Sequence, residues 1–336
     1  MKHYKLKINK IAYETDDALS IYFKQPLLGK ISYKSGQFLT LIFTIDNREY
    51  KRAYSINSTQ GVDQDISITV KKVQGGVISN HIFNHLKIGD KVPMQKPMGN
   101  FTLEVQKDKS RDIVLFGAGS GITPLMSILK STLYFEPESR VTLIYSNKSE
   151  DSIIFKEQLD IFKERFADRL FVRHLLSEQN NRLEEELLAE YLDVNPFFHA
   201  DSALFFLCGP EAYMEAVKAG LSDKLRIPED RIFNESFTLK KLESEASYEV
   251  TFRTPQKEQQ ANVPAGKSLL DVGLSLGLRM KFSCFNGQCG TCKAKCVTGT
   301  VRMAVDNILT QEDKDNGYVL PCVGYPVSEG VVLEVE

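Results

Sequence analysis

Several features common in proteins are missing from this 336-residue chain, and their absence narrows its function. There is no tryptophan, and no apolar run approaches the ~18 residues that cross a bilayer. The N-terminal segment MKHYKLKINK lacks the apolar core of a secretory signal. We therefore expect neither a membrane span nor export, and we predict a cytoplasmic location.

Groups that support hydrolysis are also scarce. The chain has five scattered histidines, and no Ser-His-Asp set or carboxylate pair stands out. His81 and His85 lie four residues apart on a predicted helix, but no third metal ligand accompanies them. We interpret these two histidines as surface or packing residues.

Charge is nearly balanced but uneven along the chain. The formal net charge is −2, which gives no sign of a nucleic-acid partner. Residues 1–105 hold 15 Lys/Arg against 9 Asp/Glu. A basic first third suits an anionic ligand, although drift in surface composition explains it equally well.

The spacing of apolar residues divides the chain into three parts and a linker. Residues 1–105 hold short alternating strands broken at GKISYKSG and KIGDKVP. They predict an antiparallel β-barrel or sandwich, of which we favour the barrel, with one helix after Gly76. In 106–235, strands alternate with helices such as DSIIFKEQLDIFKERF and RLEEELLAEYL, which predicts a parallel α/β sheet. Residues 236–247 are polar and indicate a linker. Residues 248–336 form a smaller unit that opens with a hairpin.

Five of the six cysteines lie after residue 283, and three of them share the run CFNGQCGTC. Cys284, Cys289 and Cys292 have the spacing C-x4-C-x2-C, and Cys322 follows. Disulfides are rare in the cytoplasm, so this pattern favours a metal centre. The spacing is that of a plant-type [2Fe–2S] centre, in which four thiolates hold two irons.

Two alternatives remain at this loop. Structural zinc usually takes paired C-x2-C knuckles, and a single such pair is present. Cys296 extends a C-x2-C-x3-C run of the bacterial iron–sulfur type, but Val297 stands where that type has proline. We interpret Cys296 as a small buried hydrophobic residue and Cys322 as the fourth ligand.

Residues 246–336 resemble a plant-type ferredoxin of the β-grasp fold, through CFNGQCGTC and the later LPCVGYP. Gly287 and Gly290 free the backbone to wrap a cluster, and Met280, Phe282 and Phe285 would screen it from water. Such a centre carries one electron, whereas a nicotinamide delivers two in a hydride. We therefore expect a flavin in the first 235 residues, because a flavin takes the pair and releases single electrons.

Residues 52–55, Arg-Ala-Tyr-Ser, resemble the R-x-Y-S motif of the ferredoxin–NADP reductase family. The resemblance implies that Arg52 pairs with a flavin phosphate and that Ala53 fills the variable position. It also implies that Tyr54 stacks on the flavin ring and that Ser55 hydrogen-bonds near its N5 atom. A plain strand with one exposed arginine is the alternative.

A second segment, Gly75-Gly76-Val77-Ile78-Ser79-Asn80, resembles the family's G-x-x-S element and opens a predicted helix. A helix N-terminus offers free N–H groups to an anion. Gly75, Gly76 and Val77 would bring the backbone close to the flavin phosphate, and Ser79 would donate to it. Without the resemblance, Ser79 would be interpreted as a helix cap.

The run from Gly117 to Pro124, GAGSGITP, stands between a strand and a helix, where an open α/β sheet binds a pyrophosphate. Its candidate nucleotide-binding residues are Gly117, Gly119, Gly121, Thr123 and Pro124, the last suited to a first helical turn. Cys208-Gly209-Pro210 resembles the family's C-G-P element beside the nicotinamide. By the same resemblance Thr123 lines the nicotinamide pocket. Cys208 as an ordinary core cysteine is the alternative.

Residues after the second strand of the α/β part bear on nucleotide choice. Ser146 and Lys148 would hold the 2′-phosphate of NADPH. Glu150 and Asp151 are close enough to leave NADH open, because an acid that reaches the 2′-hydroxyl favours NADH. We favour NADPH.

The segment Asn234-Glu235-Ser236-Phe237 ends the reductase part. By the family resemblance, Glu235 would handle protons at the flavin and Phe237 would cover its ring. An ordinary linker with one buried phenylalanine is the alternative. The candidate catalytic residues are then Ser55, Thr123, Cys208 and Glu235.

In this order, the three parts resemble the reductase components of multicomponent oxygenases, such as those of phenylacetyl-CoA epoxidase and ketosteroid hydroxylase. The resemblance implies FAD, NADPH or NADH, a [2Fe–2S] cluster and an oxygenase component as electron acceptor. Phthalate dioxygenase reductase shares the order but uses FMN, whereas the serine of R-x-Y-S favours FAD. A different acceptor, such as a hybrid-cluster protein, or a non-enzymatic redox sensor, remains an alternative.

Overall fold

The structure is a computed structural model that describes residues 3–179, 181–184, 188–237, 246–306 and 308–335. The chain consists of two compact units, 1–237 and 238–336. The predicted linker falls largely on 238–245, which lie outside the described residues. No helix of the described ranges is long and apolar enough to cross a membrane.

The first unit begins with an antiparallel barrel. Its strands are β1 (His3–Thr15), β2 (Ala18–Phe23), β3 (Phe38–Ile45), β4 (Arg48–Ser55), β5 (Ile66–Lys71) and β6 (Lys91–Gln95), with helix α1 (Val77–His85) after β5. They hydrogen-bond in the order β4-β3-β6-β1-β2-β5, and a bridge between Ile56 and Ile68 joins the two ends. Alternation explains the strands, since Leu6 and Ile8 are buried while Lys7 between them is exposed.

Strand β6 corrects the sequence prediction, which treated KIGDKVP as a break. Val92 and Met94 alternate into the barrel core at 2% and 0% exposure. Pro93 between them pairs with Lys5 of β1, and a proline cannot donate to the ladder. The apolar alternation was present in the sequence, but Gly89 and Pro93 masked it.

The first unit continues as a parallel sheet with helices. Its elements are β7 (Asp112–Ala118), α2 (Ile122–Phe135), β8 (Arg140–Asn147), α3 (Lys156–Arg165), β9 (Leu170–Leu176), α4 (Leu188–Leu192), β10 (Leu204–Cys208), α5 (Glu211–Ala219) and β11 (Ile232–Glu235). The strand order is β11-β10-β7-β8-β9, and every pair is parallel. The prediction of a parallel α/β sheet is confirmed.

Two predicted helices are shorter than expected. The helix over 151–166 begins at Lys156, because Phe155 takes a left-handed conformation with φ 63° that ends the preceding turn. The helix over 182–192 covers Leu188–Leu192, while 182–184 are not helical and 185–187 lie outside the described residues. Strand β11 was not predicted.

The second unit has a mixed sheet in the order β13-β12-β18-β14-β16, in which β12 and β18 are parallel. A two-stranded sheet, β15-β17, lies beside it. This arrangement confirms the predicted β-grasp unit, including its opening hairpin. The elements are β12 (Tyr248–Arg253), β13 (Glu258–Val263), α6 (Leu269–Ser275), β14 (Ala294–Thr298), β15 (Val301–Met303), α7 (Gln311–Asp315), β16 (Tyr318–Val319), β17 (Gly324–Pro326) and β18 (Val331–Glu334).

Helix α2 joins the α/β sheet to the barrel through a buried ion pair. Lys130 Nζ lies 2.6 Å from Asp63 Oδ2, and the two side chains are 4% and 31% exposed. On the same helix, the N–H of Gly36 donates to Ser127 Oγ at 2.8 Å, and Thr59 Oγ1 donates to the Ser127 carbonyl at 3.0 Å. A charge held out of water needs its partner, so this pair holds α2 and the barrel in register.

We expect Asp63→Ala to lower the free energy of unfolding by about 3 kcal/mol, because the Lys130 ammonium would stay buried without a counter-charge. Urea unfolding followed by far-UV circular dichroism measures this in a chain without tryptophan. The control is Glu104→Ala, which breaks the exposed Lys34–Glu104 pair and should cost less than about 1 kcal/mol. Lys130→Met should cost less than Asp63→Ala, and the reverse order would contradict this account.

Candidate functional site

Three adjacent parallel strands end in one row of candidate residues. In the sheet register, Cys208 of β10 lies opposite Gly117 of β7 on one side and Glu235 of β11 on the other. Ligands of open α/β sheets bind at the carboxyl ends of the strands. The predicted Gly-rich turn, the C-G-P element and Glu235 therefore meet at one edge.

The barrel reaches this edge through Ser55, the last residue of β4. Ser55 Oγ donates to Glu235 Oε2 at 3.2 Å, and the two residues are 4% and 2% exposed. Burial, together with the charge of Glu235, raises the pKa of the Cys208 thiol well above its ordinary value. The site thus holds a neutral thiol beside a buried hydroxyl–carboxylate pair. The sequence proposed these three residues separately, and the fold brings them together.

The rest of the R-x-Y-S motif lies on β4, where successive side chains alternate between faces. Arg52 and Tyr54 share one face, while Ala53 and Ser55 share the other. Arg52 is exposed and forms no ion pair with the described residues, which leaves its guanidinium available to an anion. Tyr54 is half-buried, and burial raises the pKa of its hydroxyl more than the positive charge of Arg52 lowers it.

The Gly75–Asn80 segment opens α1 as predicted, but Ser79 is already engaged. Its hydroxyl accepts from the N–H of Val73 at 3.1 Å and lies 3.4 Å from the Gly76 carbonyl. Gly75 has φ +70°, which favours glycine, and space is open beside it. The first N–H groups of α1 have no intrahelical acceptor. These N–H groups, from Val77 onward, are therefore better placed than Ser79 Oγ to receive a phosphate.

Glycine is required where the nucleotide turn meets β10. A Cβ on Gly121 would lie 2.0 Å from the Cys208 carbonyl oxygen, so no other residue fits there. Gly119 has φ +52°. Thr123 Oγ1 donates to the Ser120 carbonyl at 3.0 Å and is 2% exposed.

Proline marks the start of each helix that follows this edge. Pro124 lies in the first turn of α2, where its missing N–H costs nothing. Pro210 is the residue directly before α5. Between β10 and Pro210, a Cβ on Gly209 would lie 2.9 Å from the Ala118 side chain. The two loops therefore pack against each other.

Two tyrosines at this edge were missed by the sequence analysis. Tyr145 is fully buried on β8 and donates to the Gly119 carbonyl at 2.9 Å, which supports the turn. The hydroxyl of Tyr213 on α5 is shielded from solvent. It lies near the Ser146 hydroxyl, but the two do not form a hydrogen bond. Both tyrosines have a pKa raised by burial. No local sequence signal marks them, because their roles depend on strand packing.

The end of β8 carries shielded polar atoms suited to a polar ligand. Ser146 Oγ, Asn147 Nδ2 and Tyr213 OH have no hydrogen-bond partner among the described residues. Buried polar atoms are normally satisfied, so this group fits a nucleotide. Next to it, Lys148 Nζ lies 3.3 Å from Glu178 Oε1, and both side chains are exposed. Glu178 is a neighbour that the sequence did not suggest.

Phe237 is the last described residue of the first unit and is 44% exposed. It follows β11 by two positions, so it lies close in sequence to Glu235. The sequence alternative, one buried phenylalanine, is not what the structure shows.

In the second unit, four of the cysteine thiols converge, with Cys284 in contact with Cys289 and Cys322, and Cys322 in contact with Cys292 as well. Cys292 Sγ donates to Cys322 Sγ at 3.2 Å. Cys284 Sγ accepts from Cys289 and Cys322, and these bonds lower the pKa of its thiol. A [2Fe–2S] centre takes four thiolates, two on each iron. The set of four converging thiols therefore fits such a centre, whereas no group of three or more His, Cys, Asp or Glu in the described ranges is arranged for a single metal ion.

The backbone of the cysteine loop turns its N–H groups towards sulfur. Asn286 N donates to Cys284 Sγ and Thr291 N to Cys289 Sγ, each at 3.5 Å. Phe285 has φ 61°, and Gly287 and Gly290 have φ 73° and 66°. Left-handed residues in succession wrap the chain tightly, and N–H groups aimed at sulfur stabilise its negative charge.

Cys296 lies on β14, away from this group of thiols. Its Sγ donates to the Thr298 carbonyl at 3.2 Å, and the residue is half-buried rather than buried as predicted. The cause is its position near the end of β14, which has exposed residues from Val297 onward. Among the described residues, no hydrogen bond joins Cys296 to Cys292 or Cys322.

Comparisons with known proteins agree with this arrangement. An oxidoreductase FAD-binding domain matches residues 5–103, an oxidoreductase NAD-binding domain matches 115–219, and a 2Fe-2S iron-sulfur cluster binding domain matches 253–327. The three matches fall on the barrel, the α/β part and the second unit, in that order, and strands β11 and β18 lie outside the matched residues.

Similar proteins extend over the whole chain. One of the subunits of 1,2-phenylacetyl-CoA epoxidase from Escherichia coli K12 is 31% identical over 98% of this chain and 97% of its own length. The ferredoxin reductase component of 3-ketosteroid-9-alpha-monooxygenase from Mycobacterium tuberculosis H37Rv is 34% identical over 97% and 94%. The structure of phthalate dioxygenase reductase matches with a TM-score of 0.69 at 21% identity, over 99% and 98%, and shows the shared fold.

Identity above 30% along nearly the full length of both relatives shows the family. The chain belongs to the ferredoxin–NADP reductase-like flavoproteins with a C-terminal plant-type 2Fe-2S domain, and it is an NAD(P)H-dependent oxidoreductase.

Proposed function

We propose that this reductase passes electrons from NADPH to the oxygenase component of a multicomponent oxygenase. The observation that carries the reductase chemistry is the buried contact between Ser55 and Glu235 beside Cys208, which unites the flavin motif and the nucleotide edge. The relatives named as monooxygenase and epoxidase components support the acceptor class. When bound, FAD supplies hydride acceptance and single-electron release, and the iron–sulfur centre carries electrons one at a time.

The flavin-binding residues are proposed from the barrel edge. Arg52 pairs with a flavin phosphate, and the first N–H groups of α1 at Val77 add to its binding. Tyr54 would pack along the ring, and Phe237 would help to cover it. Ser79 acts by holding the Gly75–Gly76 turn, a role that its bonds to Val73 and Gly76 support.

At the nicotinamide, Gly121 and Gly209 keep the turn and the C-G-P loop close, and Thr123 lines the pocket. Cys208 stays protonated because its pKa is raised. Its side chain would pack beside the nicotinamide ring. Ser55 Oγ and Glu235 Oε2 hold a proton between them at the flavin edge. Each of these groups binds, orients or holds a proton, and together they exclude water from the reacting face.

The iron–sulfur ligands are proposed as Cys284 with Cys289 on one iron and Cys292 with Cys322 on the other. The convergence of the four thiols supports this ligand set, and the bond from Cys296 to Thr298 supports leaving Cys296 out.

Anaerobic stopped-flow absorbance with NADH and NADPH in parallel tests the function. Flavin bleaching followed by loss of the iron–sulfur bands is the expected result. A non-enzymatic sensor would show neither change. If the natural acceptor is instead a protein such as a hybrid-cluster protein, the absorbance result stays the same. The reductase would then reduce that protein faster than it reduces an oxygenase component.

We expect Cys322→Ser to abolish the normal iron–sulfur absorbance while flavin reduction by NADPH continues, since the two groups are held by different units. Visible spectra and NADPH-dependent ferricyanide reduction measure these separately. Cys296→Ser is the matched control and should keep the cluster. Loss of the cluster in Cys296→Ser but not in Cys322→Ser would overturn the ligand assignment.

We expect Lys148→Ala to lower kcat/KM for NADPH about tenfold, because a lost charge-assisted contact to phosphate costs roughly 1.4 kcal/mol at an exposed site. The value for NADH should stay unchanged. Lys218→Ala, which removes an exposed, glutamate-paired lysine of α5, is the control. Equal loss for both nucleotides in Lys148→Ala would rule out 2′-phosphate recognition at this position.

A further inference from the structure

The stretch that carries the cysteine loop is basic without interruption. Residues 272–305 contain five Lys/Arg and no Asp or Glu. All five side chains are exposed, and they are Arg279, Lys281, Lys293, Lys295 and Arg302. The acidic residues of this unit lie outside this stretch, so positive charge surrounds the cysteines in sequence.

Ion pairs cancel only part of this charge. Lys293 Nζ lies 2.7 Å from Asp313 Oδ1, which neutralises one of the five. Arg279, Lys295 and Arg302 form no ion pair within the described part of the unit. Three exposed positive charges are therefore available to a partner.

Two adjacent clefts lie along these residues. One is lined by Lys293, Lys295 and Tyr318, and the other by Arg279, Lys281 and Phe282. The first cleft also holds Glu334, whose carboxylate is paired with Arg253 at 3.3 Å. The clefts share Thr254, Pro255 and Val335, so they form one continuous concave surface. We call this surface, with the basic residues Lys257, Arg279, Lys281, Lys293 and Lys295, the basic face.

The basic face borders the cysteine loop at both ends. Lys293 directly follows Cys292 in the chain. At the other end, the ring of Phe282 lies 4.8 Å from the ring of Phe285, which follows Cys284. A protein seated on the basic face would therefore contact the residues that flank the cluster ligands.

We propose that the basic face is the docking surface for the electron acceptor, and that the acceptor presents an acidic surface there. This inference rests on the proposed function and names the chemistry of the partner. Opposite charges speed encounter and fix orientation, and like charges exclude wrong partners. Each encounter transfers one electron to an oxidised metal centre of the acceptor. Two encounters therefore use one NADPH and release NADP⁺ and one proton.

Binding to two redox proteins of opposite charge tests the proposal. The full holoprotein is measured against immobilised plastocyanin, which is acidic, and cytochrome c, which is basic, over a range of ionic strength. The variant is Arg279→Glu with Lys295→Glu, one reversal in each cleft. The control is Lys267→Glu with Lys314→Glu, two exposed lysines of the same unit outside both clefts.

The wild type should bind plastocyanin at least about tenfold more tightly than cytochrome c at low salt, and the preference should shrink as salt screens the charges. The variant should lose at least about tenfold in affinity for plastocyanin, while the control stays within about twofold. The rate of plastocyanin reduction under NADPH should follow the same order.

Four binding results would overturn the proposal. The first is tighter binding of the wild type to cytochrome c than to plastocyanin. The second is an unchanged affinity of the variant for plastocyanin, and the third is an equal loss of that affinity in the control. The fourth is that the wild type binds a short oligonucleotide and the variant does not, while the variant keeps its affinity for plastocyanin. Slower reduction of the variant's own cluster by NADPH would also overturn it, because the basic face would then serve the flavin unit. A wild-type cluster that NADPH does not reduce would instead contradict the proposed function, and the binding measurements would still decide the docking surface.

Discussion

Three parallel strands, β7, β10 and β11, end in register at one edge of the sheet, and the first unit depends on this alignment. Hydrogen-bond register places Gly117, Cys208 and Glu235 side by side, and Ser55 of the barrel reaches Glu235 at 3.2 Å. Parallel strands run in the same direction, so their carboxyl ends lie at one edge of the sheet. Gly121 must lack a side chain because the Cys208 carbonyl occupies its space. The chemistry of the edge follows from this register.

Buried charge supports this arrangement at a distance. The pair Lys130–Asp63 ties α2 to the barrel, and α2 begins directly after the nucleotide turn. An ammonium in the interior is stable only beside its counter-charge. Any shift of the barrel against α2 would separate Lys130 from Asp63. This ion pair therefore restricts how the flavin motif of the barrel meets the sheet.

In the second unit, the arrangement of the cysteines depends mainly on residues close together in the chain. Its four converging cysteines come from one short loop and one later residue, and left-handed residues at Phe285, Gly287 and Gly290 wrap the loop. The positive charge of the flanking residues lies outside this wrapping, on an exposed surface. The proposed cluster ligands and the proposed docking residues are thus different side chains of the same stretch.

Local patterns in the sequence determined most elements of secondary structure, the Gly-rich turn and the cysteine spacing, because each depends on residues close together in the chain. Strand β6 and the late start of α3 escaped prediction, since Pro93 obscured one pattern and the left-handed Phe155 interrupted the other. Strand β11, and with it the position of Glu235, was decided by pairing with β10. The pairing of Lys148 with Glu178 was likewise decided by the fold. Contacts between residues far apart in sequence leave no periodic trace, so only the tertiary structure could bring Ser55 to Glu235.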